Sequence, residues 1–382
     1  MFLALPALVL ASCSNDEAMD VAKGAGISFE PAMAKGSRAV EMTTAALQEF
    51  NVTSYADDGT IFFKNVNIKR NGTAWDSEYL WPNYDLNFGA YSPVSYKENV
   101  SIDKDAFKFT GVKIAQKLAD QQDLIVAYNK HPESGKKVQL AFDHAFFAVD
   151  FKAKVVNPNL KYEIIAVKLC NLKSKGDFTM PTAATTVEDG NDANKIFDYK
   201  AWSNLSEPAS YINRLDAADA VVLDSKTTEP QFIKNDACGY FMPIPQYGKA
   251  WDTMYTGANG NGNGGTYVSI LCRISQSDNA GNYNVIYPKD DTKYGFAALP
   301  IEQVFQPGKK YTIVLSLDGG GYRDPKEEDP DDPGEDPEID PDPDPQPGPD
   351  PILPGKISYE VIVNDLVDGG NINLDYKHPD NN

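Results

Sequence analysis

The sequence predicts an all-β fold of sandwich type. Three observations carry the prediction. Short runs of β-branched and aromatic residues recur between turn clusters, several runs alternate apolar and polar side chains, and apolar spacing of helical period is scarce.

In chain order, Phe2 to Ala11 comes first. This stretch is too short to span a membrane as a helix, which takes about 20 apolar residues, but it has the length of a signal-peptide core. The basic residues that normally precede such a core are absent, so the true start is expected upstream. The stretch ends in Leu10-Ala11-Ser12-Cys13, which resembles the lipobox of bacterial lipoproteins, where the cysteine is lipidated and becomes the first mature residue. Asp16 and Glu17 resemble the export tag that sends some lipoproteins to the outer face of the outer membrane. The alternative is a buried apolar N-terminus carrying an ordinary free cysteine.

Strands follow. Gly59 to Ile68 has β-branched and aromatic residues bounded by Asp-Asp-Gly and Asn-Gly turns. Val138 to Val156 (VQLAFDHAFFAVDFKAKVV) sets Ala145, Phe147, Val149 and Phe151 on one face and Phe142, His144, Phe146 and Ala148 on the other, which predicts one strand covered on both sides. Tyr162 to Leu172, Tyr267 to Ile274 and Tyr311 to Leu317 add further strands. Helix is expected only in segments such as Ile114 to Asp120 and Asn213 to Ala220.

From about Gly319 the pattern gives way to alternating Pro and Asp. Such a segment cannot bury apolar area and its like charges repel, so a solvated spacer is expected. Its carboxylates are dense but lack the spacing of a calcium loop, and proline stiffness opposes wrapping an ion. Strand pattern returns at Lys356 to Val363, with Ile357, Tyr359, Val361 and Val363 on one face. That strand either completes a sheet of its own chain or is carried on a tether to a neighbour.

Charge and chemistry exclude several functions. The net charge is −20 over 382 residues, which repels nucleic acid and anionic lipid surfaces. Residues 324 to 350 hold 13 Asp or Glu against one Lys, so −12 of the total is local and the remainder is only mildly acidic. Cys170, Cys238 and Cys272 lie outside metal-ligand spacing and read as small buried hydrophobes; one disulfide among them would leave an odd thiol. Of three histidines, His131 precedes a proline in a turn, His378 lies in the tail, and His144 sits among phenylalanines without a nucleophile motif, which reads as a satisfied core histidine. The Gly-rich stretch 257 to 265 lacks the features of a phosphate loop and reads as a hairpin loop. No catalytic, metal-ligating or cofactor-binding set emerges, and the chain is not expected to be an enzyme.

Taken in order, ISFEPAMAKGSRAV (27–40), YLWPNYDLNFGAYSPVSY (79–96), VQLAFDHAFFAVDF (138–151), GYFMPIPQ (239–246), YGFAALPIEQVFQPGKKYTIVLSL (294–317) and ISYEVIVNDLVDGG (357–370) resemble the fimbrillin (Mfa-like) family of type V pilus subunits and surface lipoproteins. Two departures stand out: Leu366 occupies a position where family members often carry Trp, and the acidic spacer is longer than usual. The residues give the expectation of a signal peptide over 1–12, a lipidated tether over 13–26, a disordered spacer over 319–355 and a C-terminal strand segment over 356–382, and the resemblance implies two transthyretin-like β-sandwiches over 27–175 and 176–318. It also implies cleavage by a trypsin-like, Arg-specific protease that removes the first strand. On this chain that strand would begin at Ile27 to Phe29 and the cleavage site would be Arg38, unless Arg38 is simply a surface charge. Strand 357 to 363, with Ile357, Tyr359, Val361 and Val363, would be the donor to another subunit.

The expected function is therefore a cell-surface pilus subunit serving adhesion. Its expected partners are other pilus subunits in a homo- or hetero-polymer, the outer membrane through the lipid on Cys13, and the protease. The rival expectation is a monomeric surface lipoprotein that binds glycans or host ligands through Trp75, Trp202 and Trp251, or a pilus anchor.

Overall fold

The structure, a computed structural model, describes residues 24–33, 46–180, 198–235, 238, 241–253, 265–278, 280–324, 351–366 and 374–375. Cys13, Asp16, Glu17, Arg38 and His378 lie outside the described residues, as do 257–264 of the Gly-rich stretch and 325–350 of the acidic spacer.

Strands dominate, so the fold is all-β. The first group is β1 (Gly26–Met33), β2 (Glu49–Tyr55), β3 (Ile61–Lys69), β4 (Asp76–Leu80) and β5 (Asn87–Ser92). Next come β6 (Val100–Ile102), β7 (Phe107–Lys113), β8 (Ile125–Lys130), β9 (Val138–His144), β10 (Ala148–Val155) and the 21-residue β11 (Leu160–Met180). These are followed by β12 (Trp202–Arg214), β13 (Val221–Leu223), β14 (Gln231–Phe232), β15 (Tyr247–Gly248) and β16 (Tyr267–Ser277). The last are β17 (Tyr283–Tyr287), β18 (Gly295–Pro300), β19 (Gln303–Val304), β20 (Lys309–Leu317), β21 (Tyr322–Arg323), β22 (Ile357–Asp365) and β23 (Leu374–Asp375).

A seven-stranded sheet runs β3-β2-β5-β8-β9-β1-β4. The rings of Phe63 on β3 and Tyr79 on β4 lie 4.6 Å apart, so the two end strands meet and the sheet curls round a core of its own. Phe29, Phe50, Phe88 and Phe142 fill that core. Tyr55, Tyr91, Val126 and Tyr128 point the other way and join the main core with Phe107 and Phe109. Coverage on both faces explains why β2 and β5 are buried along almost their whole length.

The main core also takes side chains from two further sheets. One runs β21-β18-β16-β11-β7-β6, with β12 and β13 on β11 and β17 on β16; the other runs β14-β10-β20-β22-β23. Val167, Leu169 and Ile270 of the first share this core with Phe151, Ile313 and Ile357 of the second. A small β15-β19 pair lies beside them. The long β11 bulges at Asn171, whose backbone is left-handed (φ 64°) and whose amide donates to the Gly265 carbonyl at 3.0 Å.

The structure departs from the sequence expectations in four places. The run 138–156 is two strands in different sheets, β9 and β10. With both faces apolar, alternation has no contrast with which to mark the break. The backbone at the break is satisfied outside any ladder: Ala145 N–H donates to Leu124 O (2.8 Å), Phe146 O accepts from Gly308 N–H (2.8 Å), and Ala145 O accepts from Trp202 Nε1 (2.9 Å).

The expected helices hold only single 3-10 turns, Leu118–Asp120 and Ala217–Asp219, and Asn213 belongs to β12. Segments this short cannot recover the cost of helix nucleation. The expected division at 175/176 falls inside β11, whose Lys175 to Met180 pair with β7. A cut there would sever a continuous ladder.

The expected spacer 319–355 is folded at both ends. Asp318 N–H donates to Lys356 O (3.2 Å) and Ile352 N–H to Gly321 O (2.8 Å). Tyr162 Oη donates to Gly319 O at 2.9 Å. Residues 318–321 and 352–356 thus form a neck, closed where Gly319 meets Gly355.

Candidate functional site

The alternation Ile27, Phe29, Pro31, Met33 makes β1 an inward-facing strand, and these four residues are buried while Gly26, Glu30 and Ala32 are exposed. β1 lies between β9 and β4. It pairs parallel with β9 from Phe29↔Val138 to Met33↔Phe142, and antiparallel with β4 through Gly26↔Leu80 and Ser28↔Asp76. Phe29 N–H donates to Trp75 O (2.8 Å), Ser77 Oγ to Ile27 O (2.8 Å) and Gln139 Nε2 to Glu30 Oε2 (2.6 Å). The Phe29 ring meets Phe50 and Phe88 edge-on, at 5.6 and 5.9 Å.

Without β1, the β9 and β4 edges would carry unpaired backbone groups beside an apolar slot. Burial of residues such as Ile27, Phe29 and Met33 is worth about 1.5–3 kcal/mol each.

The second element is β22. Its nine residues pair antiparallel with β20, from Lys309↔Asp365 to Leu317↔Ile357, so in this structure it completes a sheet of its own chain. Ile357 is buried and Tyr359, Val361 and Val363 are half-buried against the main core, the face read from the sequence. Tyr359 Oη accepts from Glu302 N–H (3.0 Å) and donates to Glu302 O (3.3 Å). Leu366 is buried against Ala148, and its N–H donates to Gly308 O (2.9 Å). The structure does not bring β1 and β22 together; they sit in different sheets.

The remaining residues singled out in the sequence are structural. Trp75, Trp202 and Trp251 are 6%, 4% and 4% exposed, which removes them as sugar-stacking platforms. Trp202 instead stacks on Phe146 at 5.5 Å. Cys170 and Cys272 are buried, Cys238 is half-buried, and all three are free thiols.

His144 is buried with Nδ1 against the Asp123 carboxylate, a partner not evident from sequence because 21 residues separate them. Beside it, burial pushes the Asp143 carboxyl up to about 7, partly offset by His144. His131 Nε2 lies 2.6 Å from Asp57 Oδ1, and hydrogen bonds from His131 and Asn87 hold that carboxyl below its ordinary range. Among the described residues no group of three His, Cys, Asp or Glu side chains is placed to hold a metal ion.

A fimbrial protein from Bacteroides vulgatus is 17% identical, with 89% of this chain and 99% of that one covered at a TM-score of 0.42. The tip fimbrial protein Mfa3 from Porphyromonas gingivalis, with a C-terminal truncation, is 10% identical, with 89% and 99% covered at a TM-score of 0.37. No curated protein matches the sequence. The family model described as fimbrillin-like matches residues 37–328, a span that leaves out both β1 and β22. On that match, which takes in most of its length, the chain belongs to the fimbrillin-like family.

Proposed function

We propose that the protein is a structural subunit of a cell-surface pilus that serves adhesion and assembles by protease-triggered strand exchange. Export as a lipoprotein would attach it through Cys13 to the outer membrane, with Asp16 and Glu17 as the surface address. Cleavage after Arg38 by a trypsin-like, Arg-specific protease would free β1, and the slot between β9 and β4 would then take a strand from another subunit, of the same or a different kind. The C-terminal strand, through Ile357, Tyr359, Val361 and Val363, is the donor in this reading. To donate, it must leave β20, which requires the neck at Gly319 and Gly355 to open. In the same reading the chain comprises two transthyretin-like β-sandwiches.

One observation carries the proposal: β1 holds an interior place in its sheet by backbone pairing and four inward side chains, and Arg38 lies in the 34–45 segment that joins it to β2. Such a strand can be replaced by another chain without redesign of its neighbours. A monomeric glycan-binding role is disfavoured by the burial of the three tryptophans that suggested it.

The test is to treat the purified protein with an Arg-specific protease and follow its mass by native and denaturing gels. Cleavage after Arg38 followed by a ladder of higher oligomers, absent in Arg38→Ala, is the expected result. A cleaved protein that remains monomeric rules the reading out.

A further inference from the structure

In β11, Val167 and Leu169 face the main core, so by alternation Lys168 and Cys170 face the opposite side of the sheet. A lysine in that position is usually solvated, but Lys168 is 1% exposed. Its Nζ lies 2.7 Å from Asp324 Oδ2, with the two side chains 2% and 0% exposed. The other carboxylate oxygen, Oδ1, accepts a hydrogen bond from Tyr267 Oη at 2.9 Å. The Phe296 ring lies 3.8 Å from Nζ, and Cys170, Trp251 and Tyr322 pack together around Tyr267.

Taking an ammonium and a carboxylate out of water together into this apolar shell is costly, and their mutual attraction does not reliably offset that cost. The same shell holds the reacting atoms together and keeps water away, which favours condensation over hydrolysis.

We propose that Lys168 and Asp324 are joined by an intramolecular amide bond. A proton passes from Lys168 Nζ to Asp324 Oδ2 across the 2.7 Å that separates them, leaving a neutral amine and a carboxylic acid. Nζ then attacks Cγ, and the negative charge that develops on Oδ1 is met by the Tyr267 hydroxyl. A second proton moves from Nζ to Oδ2. The Cγ–Oδ2 bond breaks as the C–N bond is completed, and Oδ2 departs as water. Nothing is oxidised or reduced and no further reactant is needed. Burial pushes the Tyr267 phenol well up, so it remains a donor, and it pushes the Cys170 thiol up to about 11, so that thiol does not compete as a nucleophile.

The bond would tie the middle of β11 to a residue 156 positions later in sequence, at the point where the chain leaves β21 for the acidic segment 325–350. A pull on β22 transmitted back through that segment would then meet a covalent bond rather than a hydrogen-bonded ladder.

The experiment is mass spectrometry of the full, denatured chain. The wild type is expected to be lighter than its sequence mass by one water, to resist tryptic cleavage after Lys168, and to yield a branched peptide joining the Lys168 and Asp324 segments. Lys168→Arg keeps the charge but cannot condense in this way, and it is expected to show the full mass. Wild-type protein of full sequence mass, cleaved by trypsin after Lys168, overturns the proposal. A mass deficit that persists in Lys168→Arg also overturns it.

Discussion

Gly319 lies back to back with Gly355, so close that a Cβ on Gly319 would overlap the Gly355 carbonyl, and a Cβ on Gly355 would overlap the carbonyl of Asp318. This contact closes the neck between the end of β20 and the start of β22. Gly319→Ala is expected to destabilise the protein by about 1–3 kcal/mol, because the obstructing atoms are backbone and cannot swing aside. The denaturant midpoint of the purified variant checks this, and an unchanged midpoint would show that the neck is loose.

Phe29→Ala removes the largest side chain of β1 from between Phe50 and Phe88. Truncation of a buried phenylalanine costs about 3–5 kcal/mol where neighbours cannot collapse into the space. Ala32, exposed on the same strand, serves as the control, and Ala32→Ser should stay within about 0.5 kcal/mol of wild type. Equilibrium urea unfolding distinguishes the two. Equal effects would mean that β1 is held by backbone pairing alone.

How much of this was legible in the sequence depends on whether a signal was local. The inward face of β22 follows from period-two alternation at Ile357, Tyr359, Val361 and Val363, whereas for β1 only its start at Ile27 to Phe29 comes from the family resemblance and its inward face emerges with the fold. The break between β9 and β10 was hidden because Phe142, Phe146 and Phe147 make both faces apolar, which erases the contrast alternation needs. The neck was hidden for another reason. Gly319 to Gly321 reads as a loop by composition, and its order comes from Ile352 to Gly355, beyond an acidic segment that no local pattern spans. The Lys168–Asp324 and His144–Asp123 pairs likewise depend on tertiary proximity, so the sequence offered the residues without the pairing.

Asp143 gives a pH prediction. Its folded carboxyl titrates near 7 and its ordinary value is 3.8, because burial disfavours the charged form. Between those values the folded state binds a proton that the unfolded state has released. The contribution of Asp143 to stability is therefore complete below about pH 4 and is lost as pH rises toward 7. Asp143→Asn mimics the protonated form, so the advantage of the variant over wild type should grow from pH 4 to 7 and then level off. Paired denaturation curves across this range read the difference directly and cancel the titration of groups common to both proteins. A difference that stays flat with pH would show that Asp143 ionises normally in the fold.

Removal of residues 357–382 tests what β22 does before any exchange. The deletion strips β20 of one of its two partner strands along all nine residues from Lys309 to Leu317, leaving β10 on the other edge, and takes Ile357 and Leu366 out of the apolar packing. The core enclosed by the curled seven-stranded sheet draws only on residues 27 to 142 and loses none of its side chains. Hydrogen exchange should therefore show β10 and β20 losing protection first, while β2, β5 and β8 retain theirs for longer. A synthetic peptide of residues 356–366 added to the truncated protein should restore protection to β20, because its backbone groups and its Ile357, Tyr359, Val361 and Val363 face match the exposed edge. Uniform loss of protection across all the sheets would mean that the two cores fold as one cooperative unit. Full protection of β20 without the peptide would mean that β22 is dispensable to the subunit and free for another chain.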